Sequence, residues 1–139
     1  MSSSTGSRRH PLHPRTLVAV AAGGAVGALL RWGAEAAVVP QVDQGGWPWA
    51  TLLVNVLGSA ALAWLVVHDD RVGHAPWVRP GVGTGLLGGF TTFSTYAVQV
   101  AVLGAVSPAT ALVYLLATAL LCVGAAALAG GAALRRVAR

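Results

Sequence analysis

Four long apolar segments, separated by short polar stretches, dominate the hydropathy pattern of the chain. They predict helices at about residues 16–39, 49–67, 77–104 and 107–134. Each is close to or above the length of about 20 residues that a helix needs to cross a bilayer. The polar stretches 1–15 and 135–139 are typical of tails outside the membrane. The pattern predicts an all-α membrane protein whose single transmembrane domain covers 16–134, after a disordered N-terminal tail.

The third segment departs from the pattern of a simple membrane helix. Its middle is loosened by glycines at Gly83, Gly85, Gly88 and Gly89. Hydroxyl side chains follow at once, interleaved with aromatic ones, at Phe90, Thr91, Thr92, Phe93, Ser94, Thr95 and Tyr96. Neither feature suits a helix that faces lipid. The sequence therefore predicts a third helix that is broken at the glycine-rich stretch and lines a pathway.

Composition and charge narrow the class of protein. Hydrophobic residues make up 55% of the 139 residues and charged residues 9%, against about 25% charged in a soluble domain. The nine basic residues are all arginines. They lie at segment ends rather than in a stripe, so the net charge of +5 does not indicate nucleic-acid binding. Cys122 is the only cysteine, which excludes an intrachain disulfide.

The arginines also predict an orientation in the membrane. With four helices, both termini and the middle loop share one side. Eight of the nine arginines fall there, and only Arg31 lies towards the other side: Arg8, Arg9, Arg15, Arg71, Arg79, Arg135, Arg136 and Arg139. Because arginines are enriched in cytoplasmic loops, the count predicts that both termini are cytoplasmic and that the orientation is fixed.

The first helix has two features of its own. Gly23-x-x-x-Gly27 is typical of a face that packs closely against another helix. Arg31 and Glu35 are four residues apart and so share a face. Arg31 is either a helix-end arginine that reaches the lipid headgroups or a vestibule arginine that attracts anions. The sequence alone leaves both interpretations open.

Polar residues in the second and fourth helices also have two interpretations. Asn55 is the one strongly polar residue inside the second helix, and it is either an interhelical hydrogen-bonding group or part of a pathway. The fourth helix carries polar residues every four positions, hence on one face: Tyr114, Thr118 and Cys122. They are either packing residues or a polar track.

Three patterns suggest enzyme or metal chemistry, and each fails in its context. Gly83-x-Gly85-x-x-Gly88 matches a dinucleotide fingerprint, but that motif needs a later acidic residue and none follows Asp70. Ser94 has no histidine base after the preceding loop. One predicted loop holds two histidines and two aspartates whose spacing matches no metal template: His68, Asp69, Asp70 and His74. The chain is therefore not expected to be an enzyme.

Three motifs, one in each of the first three helices, occur in order: Gly23–Arg31, Thr51–Gly58 and Gly88–Tyr96. Together they resemble the signature of the CrcB/Fluc fluoride channel family, over about residues 17–131. The resemblance implies a fluoride-selective channel that exports cytoplasmic fluoride passively and gives fluoride resistance. It also implies an antiparallel dimer with two pores and a structural sodium ion at the dimer interface.

The resemblance assigns roles to individual residues. Main-chain carbonyls of Gly88 and Thr91 would hold the sodium ion, and Arg31 would lie in the vestibule. With the hydroxyl cluster included, the expected pore-lining residues are Asn55, Phe93, Ser94, Thr95, Tyr96, Tyr114, Thr118 and Cys122. Tyr96 and Cys122 depart from the family, which usually has Phe and Ser there.

Two questions stay open on the sequence alone. The one-sided arginines favour a dimer with a paralogue inserted the opposite way, whereas a chain that inserts both ways would form a homodimer. The alternative function is a small four-helix proton-coupled multidrug or cation exporter. That chemistry needs a membrane-buried carboxylate, for which Glu35 is the sole candidate.

Overall fold

Four helical spans of the chain are long and apolar enough to cross a bilayer. In a computed structural model, which describes residues 13–38 and 42–137, the elements are α1 (Pro14–Ala37), a 3-10 turn (Val42–Gln44), α2 (Trp49–Val72), a π-helical segment (Pro80–Leu87), α3 (Gly88–Phe90), α4 (Phe93–Val106) and α5 (Pro108–Val137). The third span comprises Pro80–Val106. The prediction of an all-α membrane protein with four spans is confirmed. Most of the predicted tail lies in residues 1–12, outside the described residues.

The second helix is longer than the predicted segment 49–67, since α2 continues to Val72. It ends at Gly73, which adopts a left-handed conformation (φ 69°) and donates its N–H to the carbonyl of Asp69. The residues from His68 to Arg71 therefore form the last helical turn rather than a loop. His74 lies 2.9 Å from the Asp69 carboxylate. Within the described residues no three His, Cys, Asp or Glu side chains are placed to hold a metal ion.

Helix α1 packs against the first half of the third span through main-chain atoms. A methyl group added at Gly27 would overlap the carbonyl oxygen of Leu86 and the amide of Phe90. One added at Gly23 would overlap the carbonyl oxygen of Gly81. Glycines on the other side of the contact are equally close, so the two backbones meet without intervening side chains. This confirms the predicted close-packing face of α1.

The interruption of the third span lies after the glycines rather than within them. The glycine-rich stretch is helical throughout, first as the π-helical segment and then as α3. Thr91 (ψ 156°) and Thr92 (ψ 123°) are extended, and α4 begins at Phe93. We call Thr91–Thr92 the break. Gly85 and Gly89 of this stretch are needed for the close contact with α1, whereas the hydroxyl of Thr92 caps α4 by accepting the amide of Thr95 at 3.2 Å.

Candidate functional site

The break is held in place by one side chain from α2. The Asn55 amide nitrogen donates to the carbonyl oxygen of Thr92 at 2.9 Å, and the Thr92 amide donates to the Asn55 carbonyl oxygen at 2.8 Å. Both groups are buried. An interrupted helix inside a membrane leaves polar main-chain groups that water cannot satisfy. Asn55 replaces the hydrogen bonds that the helix loses at Thr92.

The hydroxyl groups around the break mostly bond to one another and to the backbone. Thr92 Oγ1 lies 3.1 Å from Thr95 Oγ1 and 3.3 Å from Ser94 Oγ. Thr91 Oγ1 donates to the carbonyl of Leu87 at 3.0 Å. Ser94 and Thr95, both predicted to line a pore, are absent from the lining of the cavity described next. Ser94 and Thr95 instead lie around Thr92 and contact its hydroxyl.

A cavity of about 360 Å³ opens at the break, between α2, the third span and α5. Glycine and apolar side chains form most of its wall, and Phe93, 80% exposed, lies at its edge. Its polar lining consists of Asn55, Ser59, Thr91, Thr92, Tyr96, Thr118 and Cys122. No charged side chain lines it. The structure thus brings together seven of the predicted site residues: Asn55, Gly88, Thr91, Phe93, Tyr96, Thr118 and Cys122.

The hydroxyl of Thr118, a residue of this wall, makes no described hydrogen bond. Thr118 Oγ1 is buried, and it has no hydrogen-bond partner within the part of the chain that the structure describes. Only 3% of the Thr118 surface is exposed. A buried hydroxyl without a partner is unfavourable unless a ligand or water completes it. Thr118 therefore places beside the cavity a hydroxyl that the described residues leave without a hydrogen bond.

Aromatic rings form a continuous row behind the cavity. Ring centroids are 5.9 Å apart for Phe93 and Tyr96, 5.5 Å for Tyr96 and Tyr114, and 5.3 Å for Tyr114 and Trp47. The Tyr96 hydroxyl donates to the carbonyl of Leu115 at 2.7 Å. Tyr114 is fully buried and does not line the cavity. Of the three aligned residues on α5, Thr118 and Cys122 reach the cavity and Tyr114 packs behind it.

A buried hydrogen-bond chain beside this row was missed by the sequence analysis. The Gln99 side chain donates to Thr51 Oγ1 at 2.8 Å and accepts the Tyr114 hydroxyl at 2.9 Å. It links α2, α4 and α5. One signal was available, because Thr51 and Asn55 are four residues apart and so share a face of α2. The partner of Gln99 depends on tertiary packing and had no local signal.

Arg31 contacts the third span just before the break. Its Nε donates to the carbonyl of Gly89 at 3.3 Å, and one of its terminal nitrogens lies 3.7 Å from the Glu35 carboxylate. Neither Arg31 nor Glu35 lines the cavity. Both side chains are about a quarter exposed, at 28% and 25%.

These features define a class: a four-span helical membrane protein with an uncharged, donor-bearing cavity at a break in its third span. Comparison with known proteins supports this class. A family model described as "CrcB-like protein, Camphor Resistance (CrcB)" matches residues 18–131. The chain belongs to this family.

Named relatives are found over most of the chain. It is 41% identical over 138 residues to "Fluoride-specific ion channel FluC 2" of Nocardia farcinica, covering 94% of this chain and 93% of the relative. It is 48% identical over 101 residues to "Fluoride-specific ion channel FluC 2" of Streptomyces avermitilis, covering 71% and 63%. It is 44% identical over 119 residues to "Fluoride-specific ion channel FluC 1" of Streptomyces coelicolor, covering 84% and 75%.

Proposed function

We propose that this protein is a fluoride-specific ion channel that lets cytoplasmic fluoride leave the cell passively. Membership of the CrcB family and the names of the relatives support this function. The observation that carries it in this chain is the uncharged cavity at the break, which has Asn55 and Thr118 among its lining residues. Such a wall suits an anion that must be received by hydrogen-bond donors and then released.

The donors around the cavity fit the chemistry of fluoride. A selective pore must replace the hydration shell of the ion with its own groups. Thr118 offers its hydroxyl, and Asn55 has a second amide hydrogen besides the one given to Thr92. The positive ring edge of Phe93 adds a weaker contact for an anion. A full charge on the wall would hold the ion too tightly for passage, and the cavity has none.

The cavity of a single chain is incomplete as a pore, which supports an antiparallel dimer with two pores. Phe93 is 80% exposed at the level of the break, and Gly88 is exposed beside it. A second subunit inserted the opposite way would cover both residues. The second subunit is another copy of this chain or a paralogue. The one-sided arginines favour the paralogue, a fixed orientation and cytoplasmic termini.

Carbonyl groups at the break fit a structural sodium ion at the dimer interface. The described hydrogen bonds supply donors to the carbonyl oxygens of Leu87, Gly89 and Thr92. They include none to the carbonyl oxygens of Gly88 and Thr91, which the family resemblance assigns to sodium. Main-chain oxygens are the ligands that hard cations prefer. A bound sodium ion would supply the positive charge that these two carbonyls need inside the membrane.

The proton-coupled exporter fits the structure less well. Its mechanism needs a carboxylate on the transport path. No Asp or Glu lines the cavity, and Glu35 lies beside Arg31 instead.

Replacing Thr118 with Val tests the proposed function directly. Because the Thr118 hydroxyl has no protein partner, we expect the variant to be at least as stable as the parent. Fluoride efflux from proteoliposomes should fall by about tenfold or more, since a hydrogen bond to a charged group contributes about 1.5–3 kcal/mol. Chloride efflux should stay undetectable in both proteins. Thr16→Val, in the first turn of α1 and outside the cavity lining, is the matched control. Equal fluoride and chloride flux in the parent, or unchanged fluoride efflux in Thr118→Val, would overturn the proposal.

A further inference from the structure

We propose that Arg31 is a positioning residue that holds the Gly89 carbonyl and thereby fixes the break, rather than a vestibule residue that attracts anions. The proposal deepens the proposed function, on which its flux measurement depends. It concerns a contact that crosses 58 positions of the chain and joins α1 to the third span.

The break creates the need for such a donor. In an uninterrupted helix the carbonyl of Gly89 would accept the amide of Phe93, four residues later. The extended conformation of Thr92 removes that bond. Arg31 Nε donates to the same carbonyl at 3.3 Å. A cation at this position also complements the negative end of the helix dipole, because the carbonyl ends of the preceding turns point there.

Close backbone packing of α1 fixes the position of Arg31. Its own helix meets the third span through backbone contacts at Gly27, one turn earlier. Side chains of a helix lean towards its N-terminus, so Arg31 reaches back to the level of Gly89. One terminal nitrogen of the guanidinium lies 3.7 Å from the Glu35 carboxylate, a loose ion pair within the same helix. These contacts leave Nε directed at the carbonyl.

The Gly89 carbonyl, to which Arg31 donates, lies between two carbonyls that are expected to bind sodium. Gly89 O is flanked in sequence by the carbonyls of Gly88 and Thr91, the expected sodium ligands. Leu87 O accepts both the amide and the hydroxyl of Thr91. With Leu87 and Gly89 both occupied, the intervening peptide planes are fixed. Arg31 thus helps to orient the Gly88 carbonyl, an expected sodium ligand, without touching the ion.

Two substitutions separate this role from attraction of anions. Gln places its amide nitrogen where Arg has Nε, so Arg31→Gln keeps a donor and loses the charge. Arg31→Met keeps the side chain out to the position of Nε and loses both the donor and the charge. If Arg31 positions the break, Gln should stay within about threefold of the parent in the sodium concentration for half-maximal fluoride efflux. Met should raise that concentration about tenfold or more, with efflux restored at high sodium.

Attraction of anions gives a different result. Gln and Met would then be equally impaired, the defect would deepen at low ionic strength, and added sodium would not repair it. That outcome would overturn the proposal.

Amide hydrogen exchange provides a test that does not depend on transport. In detergent micelles, the amides from Phe90 to Phe93 should exchange faster in Arg31→Met than in the parent and Arg31→Gln. If the parent conducts no fluoride, the proposed function fails while this result still decides the role of Arg31. Equal exchange in all three proteins would sink the positioning role whatever the flux.

Discussion

Removing the side chain of Asn55 should release the break. Asn55→Leu is close in size and eliminates both hydrogen bonds to Thr92, of 2.9 and 2.8 Å. The Thr92 N–H and C=O would then be buried without partners, at a cost of about 1–3 kcal/mol each. Some of this is offset by the new apolar contacts, so we expect a net loss of about 2–4 kcal/mol. At this chain length each kcal/mol lowers Tm by about 3–5 °C, which gives a fall on the order of 10 °C.

Asn55→Asp removes one of the two hydrogen bonds to Thr92 and keeps the other. A carboxylate at this position still accepts the Thr92 amide but cannot donate to the Thr92 carbonyl. It also introduces a negative charge into a cavity that has no charged side chain. We expect a fall in Tm at least as large as for Leu, because the buried carboxylate faces the Thr92 carbonyl oxygen. Fluoride efflux should be severely reduced, because the carboxylate repels the anion.

Thermal unfolding in detergent, amide exchange and fluoride-electrode efflux together measure these changes. Gln99→Met is the matched control, since it also removes two buried hydrogen bonds, to Thr51 and Tyr114. It should lower Tm similarly while leaving the exchange of the Thr92 amide unchanged. Our reasoning about the break is refuted if Asn55→Leu leaves both the Tm and the exchange of Thr92 as in the parent.

Three further substitutions test the packing of the helices. Gly27→Ala should prevent stable folding, with a loss above about 3 kcal/mol, because its methyl group would overlap Leu86. Gly33→Ala places its methyl group in open space and should raise stability by up to about 1 kcal/mol. Thermal unfolding compares the two variants, and equal melting temperatures would contradict the backbone contact. Tyr96→Phe removes the hydroxyl that donates to Leu115 and should lower the free energy of unfolding by about 1 kcal/mol. Fluoride efflux should be retained in the flux assay. Abolished efflux would show that the hydroxyl itself is part of the pathway.

The helical spans and one of their contacts could be predicted from the sequence, because both depend on local signals. Hydropathy alone identifies the four spans. The spacing of Gly23 and Gly27 predicts a close-packing face, since only glycine allows two helix backbones to meet there. The end of α2 was also marked locally by Gly73, whose φ of 69° stops the helix. The predicted end at residue 67 overlooked this signal.

The position of the break could not be read locally. Glycines suggested where the backbone was free to bend, but the contact with α1 uses those glycines and keeps them helical. The extended residue is Thr92, and its conformation is stabilised by Asn55, 37 positions earlier. Likewise, the polarity of Asn55 was evident, but its partner depends on how α2 meets the third span. The pairing of Gln99 with Thr51 and Tyr114 is non-local for the same reason.

Arg31 shows a further limit of sequence reasoning. Both of its expected roles, at the headgroups or in a vestibule, assumed that the guanidinium faces water or an ion. The reach of its side chain to Gly89 follows from the parallel alignment of α1 with the first half of the third span. That alignment is a property of two helices and not of either one.

The backbone contact between α1 and the first half of the third span has a mechanical consequence. Ordinary helix interfaces accommodate small displacements by switching side-chain rotamers, but main-chain atoms at Gly23 and Gly27 have no rotamers to switch. These two elements must therefore move as one piece. Any adjustment to a passing ion is confined to the other wall, where side chains of α2, α4 and α5 surround the cavity. The backbone contact thus makes α1 and the first half of the third span the stiff side of the cavity, and α2, α4 and α5 the compliant side.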